Sequence, residues 1–247
     1  WTYAFSLFGG IGVAYSVLLL VALRDAPRAA ATNATPAKSR IRILEAGRSL
    51  FSDKSYRLAL AYWGLVATAT WAVLGWLPTY LGERFHLSQG VAGLSATAYL
   101  QPAAWFGLLV GGLWSDFASR RSPRGRIYVT IFGLCIAAPS IYLGVHAPVY
   151  WVAIAGFMLW SFGGAFANAN MMPILCLITD ERYRATGYGI LNFCSCFIGG
   201  ITIYLGGVLR DAQISVSVIF NVSVAITLLC CWLLYQIKPA SSVTPQS

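Results

Sequence analysis

From Ile127 to Thr179 the chain carries no Asp, Glu, Lys or Arg, and no other feature restricts its folding so severely. A helix crosses roughly 30 Å of hydrocarbon with about 20 apolar residues. The run is too long for one crossing and predicts two, divided at His146, Ala147 and Pro148. The same rule predicts seven spans: Trp1 to Leu23, Leu58 to Gly82, Gly90 to Ser115, Ile127 to Val145, Val149 to Ile178, Ala185 to Leu209 and Ile214 to Ile237. Charged residues make up only 10% of the chain and apolar ones 58%, with mean hydropathy +0.68, against about a quarter charged in soluble domains. The expected fold is all-α and integral to a membrane. Trp1 stands where an initiator methionine is absent, and the sequence is expected to be a piece of a longer protein.

The net charge of +9 would suggest nucleic acid in a soluble protein, but its distribution points elsewhere. Cytoplasmic loops of membrane proteins are enriched in Lys and Arg. If the first span runs outside to inside, only Arg84 and Arg210 of the 17 basic residues fall outside. The basic charge then reports topology, no nucleic-acid partner is expected, and the C-terminus is cytoplasmic. The lipid bilayer is the partner, in a plasma or bacterial inner membrane.

All eight acids, Asp25, Glu45, Asp53, Glu83, Asp116, Asp180, Glu181 and Asp211, sit in loops or at span ends. Proton relays, voltage sensors and intramembrane hydrolases need ionisable groups at depth, so none is expected here and the chain is not read as an enzyme. His86 and His146 fall in outer loops. Cys135, Cys176, Cys194, Cys196, Cys230 and Cys231 lie in apolar spans and read as small hydrophobes. No metal or cofactor is expected.

The loop of residues 24–57 is the one linker. Its second part, RIRILEAGRSLF, mixes Ile41, Ile43, Leu44, Leu50 and Phe51 with Arg40, Arg42 and Arg48, the pattern of an interfacial helix. One span precedes this loop and six follow it. The expected organisation is residues 1–23 as the last helix of a preceding bundle, 24–57 as a central cytoplasmic loop, 58–237 as a six-helix bundle and 238–247 as a cytoplasmic tail.

GGLWSDFASRRSPRGR, residues 111–126, ends one of the predicted spans. Its Gly112, Asp116, Arg120 and Arg121 resemble the loop motif G-x-x-x-D-(R/K)-x-G-(R/K)-(R/K) of the major facilitator superfamily, with Phe117 and Ser119 replacing a base and a glycine. WLPTYL at 76–81 and DERYRATGYGILN at 180–192 look like corresponding places in organic-anion and sugar-phosphate permeases of that superfamily. The resemblance implies the last span of an N-terminal half, the central loop and the whole C-terminal half of a twelve-helix transporter. It implies a secondary active transporter that rocks about a central site and moves a small organic solute, an organic anion or a sugar derivative, with H+ or Na+ as the co-transported ion. It further implies a cytoplasmic latch made by Gly112, Asp116, Arg120 and Arg121, with Asp116 holding the N-terminal end of a helix in the missing six-helix half. The bare span count also fits a seven-helix receptor or scaffold.

Substrate contacts must come from polar and aromatic groups at depth. Gln101 sits mid-span beside Pro102, with Thr97 and Trp105 on its face at i−4 and i+4. Thr70 and Trp71 lie in the middle of the preceding span, and Asn168 and Asn192 nearer the cytoplasmic ends of theirs. Each is a candidate binding residue, and each also suits an ordinary interhelical hydrogen bond. Trp63, Trp76, Tyr80, Tyr150 and Trp151, near span ends, read as membrane-interface anchors.

Overall fold

The computed structural model describes residues 2–22 and 43–238, whose regular structure is helical throughout. The chain divides into two compact units, Trp1–Ile41 and Arg42–Ser247. The described part of the first is α1 (Thr2–Ala22), with an apolar stretch at Phe5–Leu20. Trp1, Leu23 and residues 24–42 of the expected linker lie outside the described residues, as do 239–247 of the expected tail.

The second unit begins with α2 (Ile43–Ser52), inside the segment whose pattern suggests an interfacial helix. Ala46 and Leu50 are buried, and Leu50 packs with Tyr56 and Ile178. Helix α3 (Lys54–Phe85) starts at Asp53, whose carboxylate accepts from Ser55 N at 2.8 Å, and stops at His86, which is left-handed at φ 54°. These caps place both ends outside the expected Leu58 to Gly82. Hydropathy marks where a helix meets lipid, whereas caps mark where the backbone turns.

The span expected from Gly90 to Ser115 is divided at Tyr99 into α4 (Gln89–Ala98) and α5 (Leu100–Arg121). Pro102 supplies the reason, since it offers no N–H to the Ala98 carbonyl and its ring crowds that oxygen. Then come α6 (Gly125–His146), α7 (Tyr150–Ile178), a short 3-10 turn (Glu181–Tyr183), α8 (Arg184–Asp211) and α9 (Val216–Gln236). Among the described residues, five helices are long and apolar enough to cross a membrane: α3, α6, α7, α9, and α8 with its preceding turn. The fold is thus helical and membrane-capable as expected, but the first and third spans of the sequence reading do not meet that criterion. Helix α5 carries Asp116, Arg120 and Arg121 in its last turns, and α4 is too short.

Packing follows the glycines. Helix α7 lies between α5 and α6, α9 between α3 and α6, and α8 leans on α3. A Cβ on Gly163 would come 2.4 Å from the Gly133 carbonyl oxygen, and one on Gly107 would come 2.3 Å from that of Phe162. Without side chains at these points the α6–α7 and α5–α7 backbones touch, the usual means of tight association where lipid offers no hydrophobic drive between helices.

Three of the aromatic residues expected at the membrane interface are instead packed inside. Trp63 and Tyr80 are buried, and the Tyr80 hydroxyl donates to the Val145 carbonyl at 2.7 Å. Trp76 covers Gly206 of α8. Trp151, in contrast, is exposed.

Candidate functional site

Helix α5 turns Leu100, Gly107, Gly111 and Ser115 toward the interior, where Gly107 meets Phe162 and Ala165 of α7 and Gly111 meets the Phe166 ring. At about 100° per residue, Gln101, Trp105, Gly112 and Asp116 fall together on another stripe. Gln101, Trp105 and Asp116 are exposed, and nothing lies within 4 Å of a Cβ built on Gly112. The best substrate candidates and the loop motif therefore share one unpacked face, running from the first turn of α5 to its last turns. Thr97 precedes the break at Tyr99, is exposed, and donates its hydroxyl to the Gly93 carbonyl at 3.0 Å.

The remaining candidates are spread over three helices. On α3, Thr70 is half-buried and Trp71 is 40% exposed. The Trp71 indole fills the notch at Gly199 of α8, where an added Cβ would lie 2.4 Å from its Cδ1. Part of Trp71 is therefore committed to packing. Asn168 on α7 is exposed and Asn192 on α8 is half-buried. Neighbouring Asn170 is fully buried and donates to the Phe166 carbonyl of its own helix at 2.9 Å, leaving its oxygen without a partner.

At the C-terminal end of α5 the hairpin to α6 is tight. A Cβ on Gly125 would come 2.3 Å from the Ala118 carbonyl oxygen. This approach lets Arg126 donate to the Asp116 carboxylate at 2.5 Å, with side chains 22% and 59% exposed. Arg121 lies over the Phe117 ring at 4.5 Å, so the residue replacing the motif's usual base acts as a platform for the next one. Arg120 is exposed. At the other end, Arg210 of α8 forms a two-pronged ion pair with Glu83 of α3. Among the described residues no Asp, Glu, Lys or Arg is buried.

Sequence reasoning missed Ser161. Its hydroxyl donates to the Leu100 carbonyl at 2.9 Å, tying α7 to α5 beside Gln101. It also read Tyr150 only as an interface anchor, whereas its hydroxyl donates to Ser95 at 2.7 Å, holding α4 against the start of α7. A hydroxyl in an apolar span was the available signal in both cases, and its partner could not be read from spacing.

The family model for the Major Facilitator Superfamily matches residues 1–203. A citrate-proton symporter of Klebsiella pneumoniae is 26% identical over 139 residues, which cover 56% of this chain and 31% of that protein. Among solved structures, a bacterial homologue of the human lysosomal transporter Spinster, inward-facing and unoccupied, superposes with a TM-score of 0.63 at 16% identity. That likeness covers 97% of this chain and 60% of the other. The chain thus spans less than two thirds of the length of either relative.

Proposed function

The chain belongs to the major facilitator superfamily of membrane transporters, and on that premise we propose that it forms the C-terminal six-helix half, with the last span of the N-terminal half, of a secondary active transporter for a small organic solute. The proposed cycle is a rocking of two bundles about a central site, reached alternately from each side of the cell membrane. The C-terminus is cytoplasmic in this reading, and the Lys and Arg bias supports it. The observation that carries the proposal is the unpacked stripe of α5, where Gln101 and Trp105 stand above Gly112 and Asp116. An amide and an indole at depth orient a solute by hydrogen bonding and stacking, and a carboxylate at the end of the same face reports the bundle's position to its neighbour.

The citrate-proton symporter favours an organic anion as substrate and H+ as the coupled ion. Anion charge and proton uptake both call for a carboxylate or a basic group in the path, and no Asp, Glu, Lys or Arg is buried among the described residues. The substrate-charge and proton sites are therefore assigned to the N-terminal half, while Gln101, Trp105, Thr97, Thr70, Trp71, Asn168 and Asn192 supply neutral contacts. The receptor or scaffold reading gains no support from any of these observations.

Counterflow in proteoliposomes carrying the full-length protein tests the function. Tricarboxylates should exchange, accelerated by an inward proton gradient. Exchange of sugar phosphates but not tricarboxylates would move the substrate to the other permease class, and no exchange of either would refute an organic-anion transporter.

A further inference from the structure

The Cys135 and Cys231 sulfurs lie 3.9 Å apart, one on α6 and one on α9, and theirs is the one sulfur–sulfur contact among the described residues. We propose that Cys135 and Cys231 form an oxidation site at which a lipid-soluble hydroperoxide closes a disulfide that staples α6 to α9. A disulfide holds its sulfurs about 2.05 Å apart, so closure asks each side chain to move by about 1 Å from a contact that already exists. Cys135 is exposed, Cys231 half-buried, and the two helices pack directly.

The neighbouring thiols lack this geometry. Cys230 is buried, about 100° further round α9, and turned to α3, with its sulfur 3.8 Å from the Tyr62 carbonyl. Cys194 and Cys196 lie two residues apart on α8 and so point away from each other. Cys231 also rests 3.5 Å from the Thr227 carbonyl and 4.0 Å from that of Ile131. These contacts hold its sulfur on the side of α9 that faces α6.

The chemistry balances in two steps. Cys135, the accessible thiol, attacks the peroxide, becoming a sulfenic acid while the hydroperoxide is reduced to its alcohol. The Cys231 sulfur then attacks the sulfenic sulfur; the S–S bond forms, the S–O bond breaks, and water leaves with the Cys231 proton. Reversal requires a dithiol reductant that reaches the same depth.

Membranes carrying the full-length protein are treated with cumene hydroperoxide, remaining thiols are blocked with N-ethylmaleimide, and digests are analysed by mass spectrometry. The expected result is a linked peptide pair holding Cys135 and Cys231, lighter than the two free peptides by two hydrogens and split by dithiothreitol. Cys135→Ser and Cys231→Ser should each abolish it, and Cys194→Ser should leave it. Because the wild-type product is identified by mass, the result stands even if a variant folds poorly. Separate maleimide adducts on both cysteines after oxidation, a Cys230–Cys231 link, or a Cys135–Cys135 link between molecules would each overturn the proposal.

Discussion

Helices α7 and α8 have almost the same length, 29 and 28 residues, and both are apolar enough to cross a membrane, yet half of the apolar stretch is buried in α7 against 17% for α8. The difference lies in where their glycines point. Gly156 and Gly163 of α7 both meet the backbone of α6, while the Phe162 carbonyl of α7 takes Gly107 of α5. Helix α8 uses Gly199 and Gly206 to receive Trp71 and Trp76 of α3, and on the far side leaves Phe193, Phe197 and Tyr204 exposed. One helix is therefore a fixed strut inside the bundle and the other a wall with a free face. The proposed half-transporter would use both: rigidity to move as one body, and an unpacked surface against which the other half or the solute can work.

Adjacent glycines sharpen this contrast, since the pairs Gly111–Gly112, Gly163–Gly164 and Gly199–Gly200 each hold one packed and one open position. The largest effect should fall on Gly163→Ala, whose Cβ would lie 2.4 Å from the Gly133 carbonyl oxygen. Backbone has to move, at a cost of about 2–4 kcal/mol, and folded protein recovered from detergent should drop sharply. Gly164→Ala, next to it with nothing within 4 Å, should leave recovery unchanged. Equal recovery of the two would break the strut account.

A middle effect is expected at Gly199→Ala. The added Cβ meets the Trp71 indole rather than backbone, so the ring swings aside at about 1–2 kcal/mol. Abundance should hold while transport changes, read as uptake per folded molecule, and Gly200→Ala, in open space, should match the wild type.

The smallest of the three belongs to Asp116→Asn. Its exposed pair with Arg126 is worth at most about 1 kcal/mol, equivalent to no more than about 5-fold in rate. Uptake reduced about 2- to 5-fold at normal abundance supports the latch, and unchanged uptake leaves Asp116 a topological marker.

Sequence alone revealed the helical membrane class and nearly every loop, because hydropathy and charge report depth directly. Azimuth was less legible. In lipid both faces of a helix are apolar, so no amphipathic pattern told that Trp63 and Tyr80 turn inward or which glycine of each pair is packed. The division at Tyr99 was foreshadowed by Pro102, yet its effect on span length was not. The candidate site was legible one helix at a time. Gln101 and Trp105 follow from helical spacing and Gly112 and Asp116 from the loop motif, whereas the Ser161–Leu100 and Cys135–Cys231 contacts join helices distant in sequence.

The central claim is that this half binds the solute through neutral groups on the α5 stripe and carries no coupling proton. Substrate affinity and proton-to-substrate stoichiometry measured together in proteoliposomes carrying Gln101→Ala test it most directly. An amide binds by hydrogen bonding but does not titrate at physiological pH, and losing one such bond at about 1–1.5 kcal/mol corresponds to an affinity about 5- to 10-fold weaker. The account predicts that weakening with stoichiometry unchanged. Unchanged affinity, or uncoupled proton flux with binding intact, would contradict it.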